Sequence, residues 1–415
     1  MPKMPVEKVD TLIIGGGQAG LAMSEHLGKR GLSHLIVEKG QIASSWRGRW
    51  DSLVANGPAW HDRFPGMTFP GVDPDGFAPR KNIVDYFVSY AQQISAPIRC
   101  DTEVKTLHRK PDGSGFVAET STGTIEATNV VAATGAFQRP VIPAIVPDDA
   151  GFNQIHSFSY RNPDQLPEGG VLVIGAGSSG AQIADELMRS GRRVFLSVGP
   201  HDRPPRRYRG RDFVWWLGVL GMWDAKPSNT SADHVTIAVS GAHGGHTVDF
   251  RELTSRGMTL VGRAQSFANG EMAFEPDLAR NIALGDANYL AMLDAADAYV
   301  AREGLDLPEE PEARIIAPDP ECVTDPLLRL NLARAGITSI VWATGYALDF
   351  TRWLKVDAFD PSGAPVHERG VAKVPGLYFL GLAGLSRRAS PFIWGVWHDA
   401  DYLADHIAGR KAVAA

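Results

Sequence analysis

The chain has 415 residues, 44% hydrophobic and 21% charged, with 41 basic and 47 acidic side chains for a net charge of -6. That length holds about two or three domains with a sizeable core, and the composition excludes a disordered or fibrous chain. An acidic balance offers nucleic acid and anionic lipid no general attraction. The longest strongly apolar stretch, Phe213–Trp223, is far short of the roughly 20 residues of a membrane helix and reads better as a pocket wall or lid. Met1–Lys8 lacks a secretory apolar run. Cys100 and Cys322 are the only cysteines, too few and too scattered for a disulfide framework or a zinc site. A soluble, cytoplasmic protein is expected.

In chain order, the apolar run Thr11–Ile14 predicts a buried strand leading into Gly15-Gly-Gly-Gln-Ala-Gly20. A helical stretch to Arg30 follows, then a second strand, Leu35–Val37, ending in Glu38 and Lys39. Strand, Gly-x-Gly-x-x-Gly, helix, strand and acid together make a dinucleotide-binding unit. Gly15 permits the tight turn, Gly17 lets the backbone approach a pyrophosphate, and Gly20 allows helix to pack closely on strand. Gln18, Ala19 and Lys39 are counted with them as cofactor contacts. The helix N-terminus offers N–H groups to the phosphates, and Glu38 is placed to accept from the ribose hydroxyls. A core-packing helix is predicted over Asn82–Ile94, with Ile83, Phe87, Ala91 and Ile94 at helical spacing. Glu103–Thr128 reads as a meander with turns at Gly113–Gly115 and near Gly123. It leads to the strand Asn129–Ala133, closed by Thr134 and Gly135, small enough for a crossing chain to pass near a nucleotide.

The pattern recurs in Val171–Ile174, Gly175-Ala-Gly-Ser-Ser-Gly180, a helix to about Ser190 and the strand Arg193–Val198. Gly175, Gly177 and Gly180 repeat the three glycine roles, while Ser178 and Ser179 suit phosphate hydrogen bonds and not nucleophilic catalysis. No carboxylate ends this second strand, and the loop that follows carries Arg203, Arg206, Arg207, Arg209 and Arg211. A missing acid beside guanidinium groups suits a 2′-phosphate, hence NADPH. A solvated basic loop is the alternative reading. The acid-bearing first unit then suits FAD. A second Ala-Thr-Gly, Ala343, Thr344 and Gly345, follows the strand Ser339–Trp342. The expected fold is α/β, two Rossmann-like dinucleotide-binding domains, with the NADPH domain (166–325) inserted into a discontinuous FAD domain (1–165 and 326–415).

Other features weigh toward structure. Trp215, Trp216, Trp223, Trp394 and Trp397 are open between substrate-pocket wall and packing. His243 and His246 read as a flexible turn, and His398, Asp399, Asp401, Asp405 and His406 as a solvated helix face. Asp286–Glu303 predicts an amphipathic helix with Leu290, Leu293 and Val300 inward. The loops of Arg203–Gly245 set the pocket's shape.

The sequence resembles the FAD- and NADPH-dependent flavin-containing monooxygenases of class B. The resemblance rests on Gly15–Gly20, Trp46-Arg47, Ala133–Gly135, His156-Ser-Phe-Ser-Tyr160-Arg161, Gly175–Gly180 and Ala343–Tyr346. The length is similar to that of short bacterial members and plant indole-pyruvate monooxygenases. The resemblance implies that Trp46 and Arg47 pack against FAD and that Asn56 is an active-site amide, a turn asparagine being the alternative. It also implies that Gly376–Gly381 returns to the flavin; Gly381 precedes Leu382 where many relatives carry Gly-Asp, so contact there would come from backbone. The family's linker signature is partial: His156, Ser157 and Tyr160 are kept, with Ala150 and Phe152 where Phe and Gly are expected. Tyr160 stands where Baeyer–Villiger enzymes carry tryptophan, which disfavours ketone-to-ester chemistry.

The implied function is insertion of one oxygen atom of O2 into a small organic substrate through a flavin C4a-hydroperoxide. N- or S-oxygenation and oxidative decarboxylation of an arylpyruvate-like acid are the candidate outcomes. The alternatives are an NADPH-dependent flavin reductase or oxidase and a non-catalytic redox-sensing flavoprotein; the cysteine spacing opposes a disulfide reductase. The expected partners are that substrate and O2, with no nucleic acid, membrane or metal, and with a homodimer left open.

Overall fold

The computed structural model describes residues 6–226 and 236–414. Met1–Pro5 of the N-terminus and residues 227–235 of the Arg203–Gly245 loops therefore lie outside the described residues. Two parallel sheets stand on the two glycine turns. In the first, β1 (Val6–Ile14), β2 (His34–Val37) and β3 (Ile98–Arg99) run parallel. The antiparallel β4 (Val104–Arg109) and β5 (Phe116–Thr120) lead into β6 (Thr124–Ala132), which lies parallel to β1 on its free side. β6 has two partners on its outer edge. Its first half completes the expected meander with β5, and its second half pairs in parallel with the return strand Leu377–Phe379. β1 begins earlier than its apolar run because Val6–Val9 pair with Thr124–Ala127 where the sheet reaches solvent.

After β7 (Arg139–Pro140), which pairs with Tyr346–Ala347, the chain enters the second sheet. It comprises Thr259–Val261, β10 (Val194–Ser197), β9 (Gly170–Ile174), Ile337–Trp342 and β8 (Asn153–His156), in that order and all parallel. β9 is buried at every residue, as a strand covered on both faces should be. β8 lies before residue 166 and Ile337–Trp342 after 325, and both belong to the second sheet. Composition gave no sign of this, because the edge strand β8, Asn-Gln-Ile-His, carries no apolar run.

α1 (Gln18–Lys29) follows the first turn, α2 (Ser44–Arg47) carries Trp46, α3 (Arg80–Gln93) matches the helix predicted nearby, and α4 (Ser178–Arg189) follows the second turn. The helix Leu278–Glu303 starts earlier than expected, and the C-terminal helix Ile393–Ala414 crosses α1, where Trp397 meets His26 edge-on at 4.4 Å. Trp215 and Trp216 pack with Tyr299 of Leu278–Glu303, and Trp216 donates to the Tyr208 carbonyl, so Trp216 is core and the half-buried Trp215 packs against it. Asp399 corrects the expected solvated face: it is fully buried and accepts from the Ser386 hydroxyl. Among the described residues no helix is long and apolar enough to cross a membrane.

Candidate active site

The two glycine turns are built alike. The Gly15 amide donates to Val37 at 2.8 Å and the Gly175 amide to Ser197 at 3.1 Å, so each turn is tied to the end of the neighbouring strand. Each is flanked by an Ala-Thr-Gly: Ala133 donates to Ile14 and Ala343 to Ile174. A Cβ on Gly15 would lie 2.6 Å from the Ala133 oxygen, and one on Gly175 2.4 Å from the Ala343 oxygen. A Cβ on Gly20 would meet the Gly15 oxygen at 1.9 Å, and one on Gly180 the Gly175 oxygen at 1.8 Å. Glycine is required at these positions by contact, and the contact brings each helix N-terminus over its turn. Gly17 and Gly177 cap α1 and α4 without any side-chain acceptor, so the first N–H groups of both helices are free for an anion. The space beside Gly17 is open.

At the first turn, Glu38 is buried and its two oxygens accept from Gly16 N at 2.7 Å and Gly40 N at 2.9 Å. The carboxylate is thereby fixed at the strand end with lone pairs to spare for two hydroxyls. Gly381 lies against Ala19 and Gly135, which puts the return strand, α1 and the first Ala-Thr-Gly in one place. Gln138 donates to Thr134 and Gly135 and so pins that corner. Gln18 accepts from the Trp46 indole at 3.0 Å and donates to the Pro391 carbonyl, joining α2 to the C-terminal segment. Lys39 and Arg47 are exposed, Arg47 donating to the Ile42 carbonyl.

The hydrogen bonds that tie the turns also align the strands, so Val198 stands where Glu38 stands in the first unit. A buried apolar side chain there removes the ribose-binding acid. The arginines expected beside it are elsewhere. Arg203 is buried, paired with Asp286 at 2.7 Å and lying 4.5 Å over the Tyr289 ring. Arg206 is 2% exposed, grips Asp212 with two nitrogens and sits between the rings of Phe77 and Phe213. Burial lowers its pKa and Asp212 opposes that shift. Arg207 is exposed beside Asp73, Asp75 and His243 around a shallow cavity of about 390 Å³. Arg263 was missed in sequence: its side chain packs on Gly199, just past β10, and pairs with Asp277. It lies just past the neighbouring strand Thr259–Val261, far from Gly199 in sequence, so no local pattern announces it. Ser178 donates to the Ile237 carbonyl, which commits its hydrogen to a loop.

Asn56 sits where the two units meet. Its Oδ1 accepts from Gln182 of α4 at 2.8 Å, and its carbonyl accepts from Arg206 at 2.6 Å. The buried Arg206–Asp212 pair thus fixes the backbone of the Asn56 loop, while Gln182 orients the amide and leaves Nδ2 as its donor. The linker residues have definite work as well. Phe158 N donates to His156 Nδ1, so the ring carries its hydrogen on Nε2, which donates to the Gly345 carbonyl at 3.0 Å. Tyr160 is fully buried and donates to Glu186 of α4 at 2.7 Å.

Residues 12–209 match the pyridine nucleotide-disulphide oxidoreductase family. An "uncharacterized oxidoreductase CzcO-like" of Geobacillus kaustophilus (strain HTA426) is 34% identical over 403 residues, which cover 96% of this chain and 98% of the relative. The chain belongs to the class B flavin monooxygenase-like family of oxidoreductases. Within it, indole-3-pyruvate monooxygenase YUCCA4 of Oryza sativa subsp. japonica is 29% identical over 222 residues, covering 47% of this chain and 50% of that protein. A flavin-containing monooxygenase from Stenotrophomonas maltophilia has the same fold, with a TM-score of 0.67 over 97% of this chain and 99% of its own, at 19% identity. The family makes this chain a flavin-dependent oxidoreductase with FAD and NADPH as cofactors. The two uncapped helix ends, the open face of Gly17 and the oriented Glu38 fit such cofactors.

Asp212→Ala leaves a buried guanidinium without its counter-ion. It should cost about 3–5 kcal/mol in urea unfolding. A loss under about 1 kcal/mol would show that the pair does not hold the Asn56 loop.

Proposed function

We propose that the protein is an NADPH-dependent FAD monooxygenase that inserts one atom of O2 into a small organic substrate. The observation that carries the reading is Asn56, whose carbonyl is held by Arg206 and whose amide is tied to Gln182 of α4, the helix that follows the second glycine turn. When bound, the flavin accepts a hydride from NADPH and activates O2; the chain's part is to bind, orient and exclude water. Glu38, the Gly15–Gly20 turn, Thr134, Gly135, Trp46 and Gly381 would hold FAD. Gly175–Gly180 and Ala343–Gly345 would hold NADPH, with Asn56 donating from Nδ2 toward the reacting edge. Arg203 and Arg206 are buried on Asp286 and Asp212, whereas Arg263 is exposed over the glycine that follows the acid-free strand, so the 2′-phosphate is assigned to Arg263, which would exchange Asp277 for it.

Tyr160 anchors the linker to α4 through Glu186, which gives it a structural use and keeps Baeyer–Villiger chemistry disfavoured. A dithiol reductase finds no support, because both cysteines are free and burial raises the Cys100 thiol's pKa.

In a panel of small amines, thioethers and aryl 2-oxo acids under 18O2, one class should raise NADPH oxidation and yield product carrying a single 18O. NADPH oxidation that returns all oxygen as peroxide across the panel would overturn the reading. Arg263→Ala should raise KM for NADPH about tenfold or more and leave KM for NADH unchanged. Equal effects on both would remove Arg263 from the 2′-phosphate site.

A further inference from the structure

Three arginines, Arg49, Arg203 and Arg206, are buried among the described residues. Arg203 lies against Asp286 and Arg206 against Asp212, but Arg49, 9% exposed, has no ion pair among the described residues. Its Nη1 donates to the Tyr346 hydroxyl at 2.9 Å. The guanidinium lies over two rings, 4.8 Å from Phe137 and 5.6 Å from Tyr346. Its Nε and Nη2 donate to nothing among the described residues, and neither is sealed from solvent.

The neighbours of Arg49 supply no counter-ion. Asp51, the nearest carboxylate in sequence, is held by Arg80 at 3.0 Å and by the Asn162 amide at 2.7 Å. His156, its ring 5.0 Å from that of Tyr346, uses both nitrogens on Phe158 N and the Gly345 carbonyl. Burial lowers its pKa, the bond to Gly345 opposes that, and the charge of Arg49 lowers it further. A cation held out of water without a counter-ion is costly, and aromatic faces offset only part of that cost. The open edge of Arg49 therefore calls for an anion.

The place is the connection between the two units. Phe137 follows the first Ala-Thr-Gly and Tyr346 the second, and the ribbon Arg139–Pro140 with Tyr346–Ala347 carries the chain out of the first unit and back. The space beside Gly345 is open. Two aromatic side chains face solvent at the rim: Phe137 is 57% exposed, 4.9 Å from the Tyr346 ring, and Phe158 is 39% exposed, 6.3 Å from it. A guanidinium edge open to solvent thus stands beside exposed apolar surface. Arg49 makes no hydrogen bond to Asn56, Gln182 or Arg206.

We propose that Arg49 anchors a binding site for a small organic monocarboxylate, with the two carboxylate oxygens on Nε and Nη2 and the apolar body on Phe137 and Phe158. The parallel N–H bonds on that edge match a planar carboxylate. One uncompensated cation suits one negative charge, and the exposed rings favour an anion with an apolar body over a bare inorganic one. A carboxylate held there braces Arg49 against Tyr346, and so braces the ribbon that joins the two cofactor units. Occupancy of this site does not depend on oxygenation, so it stands or falls separately from the reading above.

The test is calorimetric titration of the holoenzyme, loaded with FAD and saturating NADP+ so that the cofactor phosphates are already in place. The probes are 3-phenylpropionate, its neutral amide and inorganic phosphate, at constant ionic strength. The acid should bind about tenfold or more tighter than either of the others. Arg49→Lys keeps the charge without the fork and should weaken the acid about tenfold, while Arg49→Met should remove its advantage over the amide. The acid should raise the melting temperature of wild type and not that of Arg49→Met. No binding of the acid, equal binding of acid and amide, or wild-type affinity in Arg49→Met would overturn the proposal. Phosphate binding as tightly as the acid would remove the apolar body from it. Binding seen only when NADP+ or FAD is left out would make a cofactor phosphate the counter-ion, and would overturn it too. Should neither arginine variant fold, Phe137→Ser, altered at an exposed ring, should weaken the acid about fivefold and leave phosphate unchanged; an unchanged affinity for the acid would contradict the site.

Discussion

The close approach of a helix to the turn that precedes it is the constraint on which the rest of this molecule depends. It is made twice. A methyl group at Gly20 or Gly180 would lie inside the van der Waals radius of the Gly15 or Gly175 carbonyl, so no side chain fits at either contact. Because the helices come that close, their uncapped N-termini lie over the turns, and the Ala-Thr-Gly segments at Ala133 and Ala343 can pass on the other side. The two cofactor sites are the same solution, distinguished at one strand end by Glu38 in the first and Val198 in the second.

What joins the two sites is a set of polar contacts spread over distant segments. Arg206 is sunk between two phenyl rings, neutralised by Asp212 and aimed at the Asn56 carbonyl. Gln182 of α4 reaches Asn56 from the second unit, and His156 and Tyr160 fasten the linker to Gly345 and Glu186. The loop that follows Asn56 then presents His61 and Trp60 to Trp223 and Trp394. Contacts from the second unit and from the C-terminal segment thus converge on residues 56–62.

The glycine turns, their helices, Glu38 and the meander were legible in the sequence because each is encoded within about thirty residues of continuous chain. The partners of the arginine cluster were not legible for the opposite reason. Five guanidinium groups in a row look alike, and only the tertiary fold shows that Arg203 is consumed by Asp286 and Arg206 by Asp212. One local sign was available: Arg209-Gly210, both with positive φ, makes the tight hairpin that brings Asp212 back to Arg206. Arg263, the buried Asp399 and the membership of β8 in the second sheet have no such local sign. They follow from strand order, which a single chain does not display.

The most direct measurement is to reduce the holoenzyme with NADPH and mix it rapidly with air-saturated buffer while recording the flavin spectrum. A monooxygenase built in this way should give a long-lived absorbance distinct from both oxidised and reduced flavin, prolonged by NADP+ and discharged by substrate with little peroxide released. Immediate return of the oxidised spectrum with one peroxide per flavin, unchanged by NADP+ or by any substrate, would contradict it.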